Sequence, residues 1–148
     1  MDTVTLKATL NNGVEMPMLG FGVFQIPDAQ ECTRCVVDAI QAGYRLIDTA
    51  ASYTNEAAVG AGIRDSGVAR ADLFVTTKVW NDSQGYDATM GAFDESLQKL
   101  GLDDVDLYLI HWPAPSRGLF VETWKALEVL NRDGRARSIG VSNFTVAN

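Results

Sequence analysis

Five apolar runs of strand length recur along this chain at intervals of about 30 residues, and a helical pattern fills each gap between them. The runs are Met18 to Phe24, RLIDTA, LFVTTKVW, DLYLIHW and ARSIGVSNF. The last four are nearly continuous in apolar residues rather than alternating, as parallel strands covered by helices are. The helices between them carry their own end signals. The first starts at Asp28, with Glu31 three residues on in a capping-box arrangement, and stops at Gly43. The second is NEAAVGAGIRDSG, the third runs from about Asp87 to Leu100 with Gly101 as its stop, and the fourth is VETWKALEVLNRDG. Asn12-Gly13 within VTLKATLNNGVEMPML signals an opening hairpin that plugs one end. The order βαβαβαβαβ specifies an α/β fold.

Two α/β architectures compete for this pattern. A doubly wound sheet of five strands suits 148 residues, but GFGVFQ supplies Gly20 and Gly22 without the third glycine of a phosphate loop. A (β/α)8 TIM barrel takes ~250 residues, roughly a hundred more than are present. The expectation is therefore an incomplete barrel, residues 1–148 forming the N-terminal portion of a single barrel domain with its hairpin, five strands and four helices. FTVAN reads as the cap and first turn of a further helix, with Thr145 as N-cap, which points to truncation. If Asn148 is the end, strands one and five are open edges over an exposed interior, and the chain is expected to associate or swap strands and to hold a cofactor weakly.

Composition removes some function classes. An apolar content of 47% is enough for a proper core. A net charge of -7 and a pI near 4.5 disfavour nucleic acid or an anionic membrane surface as the main partner. MDTVTLKATL has neither a basic n-region nor an apolar h-region, and no stretch approaches the ~20 apolar residues of a membrane span, so the expected location is the cytoplasm. Cys32 and Cys35 form a C-x-x-C, yet with Val36, Ala39 and Ile40 they fall on one buried helical stripe, and packing is the expected role.

The chemistry-bearing residues cluster at strand ends. Asp48 and Tyr53 follow strand two, Lys78 lies near the end of strand three and His111, the only histidine, near the end of strand four. In a parallel barrel these ends converge on one face, where such barrels keep their active sites. Each residue taken alone has a plainer reading. A lone histidine before a proline is commonly structural, Tyr53 can be packing, Asp48 and Lys78 can be an ion pair worth little, and Trp80 and Trp112 can fill a barrel mouth.

Taken together, YRLIDTAASYTNEAAVG, TTKVW, LQKLGLDDVDLYLIHWP and RSIGVSNF resemble the aldo-keto reductase family over Leu6 to Asn148, most closely its prokaryotic diketogluconate and glyoxal reductase type. Asp104 departs from the family's more usual Tyr, at a position remote from the chemistry. The resemblance implies reduction of small aldehydes, ketones or α-dicarbonyls. Hydride transfer needs a nicotinamide cofactor, since no side chain can supply a hydride. NADPH is the family expectation and NADH the alternative, because the residues that discriminate them lie outside this chain.

Asp48, Tyr53, Lys78 and His111 correspond to the family's catalytic tetrad, with Tyr53 as general acid. A phenol is protonated at neutral pH but reluctant to yield, and a neighbouring ammonium favours the phenolate. Lys78 fills that role, Asp48 holds it in place, and His111 orients the substrate carbonyl. By the same resemblance Ser142 and Asn143, beside Asp48, bind the nicotinamide, and Phe24, Trp80 and Trp112, with His111, wall the substrate pocket. No metal is implied, and the full-length protein is expected to be a monomer. The alternative is a truncated, non-catalytic barrel that acts as an interaction module or assembles with another chain.

Overall fold

A computed structural model describes residues 6–148. Val4 and Thr5 of the expected opening hairpin, and the three residues before them, lie outside the described residues. The hairpin itself forms from β1 (Lys7–Thr9) and β2 (Glu15–Pro17), paired antiparallel with Lys7 opposite Pro17. Its turn is a three-residue loop, not the two-residue turn that Asn-Gly usually marks. Leu10 N donates to Val14 O and Gly13 N to Leu10 O, and only Gly13, at φ +84°, takes the left-handed conformation. Asn12 Nδ2 donates to Arg137 O at 2.9 Å and Ser138 Oγ at 3.1 Å, which seats the hairpin on the starting end of the last strand. It plugs that end, as expected.

β3 (Gly20–Gly22) is shorter than the run Met18 to Phe24 that announces it. Met18 N is used by Leu6 O of the hairpin, and Met18, Leu19 and Phe24 are exposed, so hydrophobicity overstates the strand at both ends. α1 (Ala29–Gln41) begins where Asp28 accepts from Glu31 N at 2.8 Å and is followed by Gly43 at φ +105°. Cys32, Val36, Ala39 and Ile40 are buried and Cys35 half-buried, both thiols being free. Burial, with Cys35 adding to it, raises the Cys32 thiol above its ordinary pKa, which disfavours a reactive thiolate at Cys32.

The remaining elements are β4 (Leu46–Asp48), α2 (Glu56–Asp65), β5 (Phe74–Val79), α3 (Tyr86–Leu100), β6 (Val105–Ile110), α4 (Phe120–Arg132) and β7 (Ala136–Val141). Strands β3 to β7 form one parallel sheet in sequence order, with Gly22, Asp48, Thr76, Leu107 and Ser138 in one row. Each helix packs on the next, α1 on α2, α2 on α3 and α3 on α4, so all four lie in a single layer on one face. A doubly wound sheet would reverse its strand order and place helices on both faces. Sequential strands under one helical layer are instead five consecutive units of a barrel wall.

Alternation along the strands sorts the side chains. Ile47, Val75, Val79, Tyr108 and Ile110 join Val36, Ile40, Val59, Phe93, Leu100 and Leu127 in the core between sheet and helices. The opposite, inward face carries Asp48, Thr76, Lys78 and Ser138. α2 fits between its neighbours because its facing positions are glycines. A Cβ on Gly60 would stand 2.1 Å from Leu100 O, and one on Gly62 2.6 Å from Val36 Cβ. Next to them Glu56 is buried, its oxygens accepting from Thr77 Oγ1 at 2.6 Å and Ser96 Oγ at 3.2 Å.

At the starting ends of the strands Asp106 is fully buried and ties three segments together. It accepts from Val75 N at 2.8 Å, lies 2.7 Å from Arg70 Nη2 and accepts from Arg137 Nη1 at 2.6 Å. At the other end of the sequence Thr145 N and Oγ1 both donate to Asn148 Oδ1, at 3.1 and 2.9 Å, and Asn148 N closes a single turn on Thr145 O. Among the described residues no helix is long and apolar enough to cross a membrane.

Candidate active site

The ends of β4, β5 and β6 bring the four singled-out residues into one cluster. Lys78 Nζ donates to Asp48 Oδ1 and Oδ2, both at 2.8 Å, and to Thr49 O at 2.9 Å. Those three bonds use every proton of a buried ammonium, so it cannot swing away. The same ammonium lies 5.2 Å from the centre of the Tyr53 ring. His111, 8% exposed, stands edge-on to Tyr53 at 5.7 Å and to Trp80 at 5.2 Å between ring centres. Its backbone N donates to Val79 O, which holds it in step with β5.

Tyr53 sits on the short 3-10 turn Ala51–Tyr53, ended by Thr54 at φ +58°. Buried Asn55 locks that turn. Its Nδ2 donates to Val23 O at 3.0 Å and Ile26 O at 3.2 Å, while its Oδ1 accepts from Thr49 Oγ1 at 3.0 Å. The loops after β3 and β4 are thereby tied together, and Phe24 comes to lie 5.1 Å from Tyr53, ring to ring. Phe24 is 65% exposed and Trp80 half-buried, so both present apolar surface at the mouth. Trp112 is 44% exposed and makes no ring contact with this cluster among the described residues; Gln84 Nε2 donates to its carbonyl at 2.8 Å.

Ser142 and Asn143 approach from the end of β7. Ser142 N donates to Ile110 O, and Asn143, at φ +61°, donates through Nδ2 to His111 O at 2.9 Å and to Ser142 Oγ at 3.0 Å. That leaves the Asn143 carbonyl as an acceptor and the Ser142 hydroxyl as a donor. A carboxamide, with one acceptor and two donors, is complementary to that pair, so the residues present fit the nicotinamide end of a cofactor. Among the described residues no group of three or more His, Cys, Asp or Glu is placed to hold a metal ion. A concavity of about 1110 Å³, lined by Lys7, Asn12, Arg45, Phe74 and Arg137, lies under the hairpin at the far end of the strands, away from this chemistry.

The electrostatics give His111 one protonation state. Burial first, and then the Lys78 charge, lower its pKa from the ordinary 6.5, against a weaker opposing pull from Asp48. The ring is neutral at pH 7. In the unfolded chain it titrates near 6.5, so on acidification the unfolded state takes up a proton that the folded state refuses. Stability is expected to fall as pH drops below 6.5 towards the folded midpoint. Nuclear magnetic resonance of the single imidazole checks this directly, and a midpoint above 6.5 would contradict it.

Sequence reasoning passed over Ser52, Asn55 and Gln84. Ser52 and Asn55 lie in the quoted run TAASYTNE, but the carbonyls of Val23 and Ile26 that hold Asn55 and the ring that faces Ser52 belong to other elements, and no local spacing signals those.

A sequence model described as the aldo/keto reductase family matches residues 18–148. Glyoxal reductase of Bacillus subtilis (strain 168) is 57% identical over 144 residues, covering 96% of this chain and 51% of that protein. The crystal structure of an aldo/keto reductase from Brucella melitensis superposes with a TM-score of 0.93 at 56% identity, over 97% of this chain and 56% of that one. The structure of a Gox0644 mutant in complex with NADPH gives 0.90 at 45% identity, over 97% and 51%. This chain spans about half the length of the curated relatives it matches.

Proposed function

The chain belongs to the aldo/keto reductase family, and on that premise we propose that it carries the proton-transfer centre of an NADPH-dependent reductase of small aldehydes, ketones or α-dicarbonyls. The observation that carries this reading is the Lys78 ammonium, fully bonded to Asp48 and Thr49 and held 5.2 Å from the Tyr53 ring. A positive charge fixed there favours the phenolate that forms when Tyr53 gives its proton to a carbonyl oxygen. Asp48 keeps the ammonium in position. Neutral His111 donates a ring N–H to the same oxygen and orients it. A bound nicotinamide supplies the hydride to the carbonyl carbon. The alcohol then leaves and Tyr53 recovers its proton from solvent.

Ser142 and Asn143 hold the carboxamide, with Asp48 beside them, and Phe24, Trp80 and Trp112 shape the substrate mouth. The name of the Bacillus relative, glyoxal reductase, supports α-dicarbonyls as the first substrates to try. The NADPH in the Gox0644 complex supports that cofactor, with NADH the alternative. A monomer in the cytoplasm, acting on small molecules rather than nucleic acid, completes the proposal. The test is the loss of NADPH absorbance with glyoxal, a simple aldehyde and a ketone. Oxidation that depends on the carbonyl is the expected result; bound NADPH that no carbonyl consumes would overturn it.

A further inference from the structure

His111 Nδ1 lies 3.4 Å from Ser52 Oγ, and among the described residues neither atom has another hydrogen-bonding partner. The distance is long for such a bond, but the packing around the ring restricts its turning towards a different one. Tyr53 meets it edge-on at 79° and Trp80 at 75°, and the residue is buried. The charged and titratable groups facing the ring are the Lys78 ammonium from β5, the Asp48 carboxylate from β4 and the Tyr53 phenol. None of these is hydrogen-bonded to Nδ1.

We propose that Ser52 is a positioning residue: its hydroxyl donates to His111 Nδ1 and so holds the neutral imidazole with its proton on Nε2. In the opposite tautomer Nδ1–H would donate to Ser52 Oγ, and the hydroxyl of this half-buried serine would be left with water alone to donate to, since no described residue accepts from it. Donation from Ser52 satisfies both atoms with one bond. The consequence is a ring N–H presented on the nitrogen that remains free for a substrate oxygen. Ser52 immediately precedes Tyr53 on the same 3-10 turn, so one turn of chain supplies both the hydroxyl that yields the proton and the hydroxyl that sets the histidine. The value of the tautomer to catalysis rests on the reductase reading. The tautomer itself does not.

The experiment is nitrogen-15 resonance of histidine-labelled protein at a pH where the ring is neutral. His111 is the only histidine, so its two ring nitrogens are the only imidazole signals. The wild type is expected to show Nε2 protonated and Nδ1 bare. In Ser52→Ala the ratio of the two tautomers should fall about fivefold, the worth of one ordinary hydrogen bond, and Ser52→Thr should restore it. With the carbonyl assay, kcat in Ser52→Ala should fall in step with the remaining Nε2-protonated fraction, and so by less than about fivefold, while the KM for NADPH is unchanged. A wild-type proton on Nδ1, which is read without any variant, would overturn the proposal, as would an unchanged ratio in Ser52→Ala. A protein that reduces no carbonyl yet shows the expected tautomer would overturn the reductase reading and leave Ser52 in its role.

Discussion

Replacing Tyr53 by phenylalanine is expected to lower kcat/KM for carbonyl reduction by about 10²–10⁴-fold, the usual contribution of a positioned general acid, with cofactor affinity nearly unchanged. The substitution removes one oxygen and keeps the ring. The contacts that define the site geometry run through that ring: Phe24 at 5.1 Å, His111 at 5.7 Å and the Lys78 ammonium at 5.2 Å. Lys78 also keeps all three of its hydrogen bonds, since none goes to Tyr53. Fold and cofactor site therefore persist, and the loss falls on the proton. Steady-state kinetics and titration of NADPH by fluorescence separate the two. Turnover within about tenfold of wild type would remove Tyr53 from the mechanism.

Asp106→Ala is the substitution expected to cost the most stability, about 3 kcal/mol, the lower end of the cost of breaking a buried ion pair. The carboxylate is fully buried and serves Val75 N, Arg70 and Arg137 at once. Its removal leaves a buried backbone N–H without an acceptor and separates two guanidiniums from their shared partner. The value sits at the lower end because Arg70 and Arg137 are 28% and 53% exposed at their side chains and can turn to water. Against a total stability of about 5–15 kcal/mol, such a loss should move the urea midpoint well down. A loss under about 1 kcal/mol would mean that the arginines and the amide find water at no cost. Whatever remains folded should keep the arrangement of the candidate site, because Asp106 lies at the opposite end of the strands from Lys78 and Tyr53.

The two predictions concern residues that were very unequally legible. Tyr53 and its companions stand at the ends of apolar runs, and in a parallel sheet a strand end is a location in space as well as in sequence. The Asp28 cap, the Gly101 stop and the α1 stripe were readable for a similar reason, since their partners lie within one or two turns. Asp106 opens the same run that carries His111 near its end, and nothing local says that two arginines 31 and 36 positions away converge on it. Glu56 is similar: a carboxylate at a helix start looks solvated until the hydroxyls of Thr77 and Ser96 are brought to it. Burial period is written locally and partner choice is not. The overlong first strand failed for a different reason. Met18 had a second use for the N–H group that the strand would have claimed.

Asp48 ends β4, Lys78 lies near the end of β5 and His111 follows β6, and these three strands are neighbours in one parallel sheet. Their register pairs Asp48 with Thr76 and Lys78 with Leu109, and Val79 O accepts from His111 N. Side chains alternate between the two faces of a strand, so a slip of a single residue in either pairing would turn a member of the cluster towards the helices. The distances within the proposed proton-transfer centre are thus inherited from backbone pairing, and a change far along these strands can reach the centre only by altering their register.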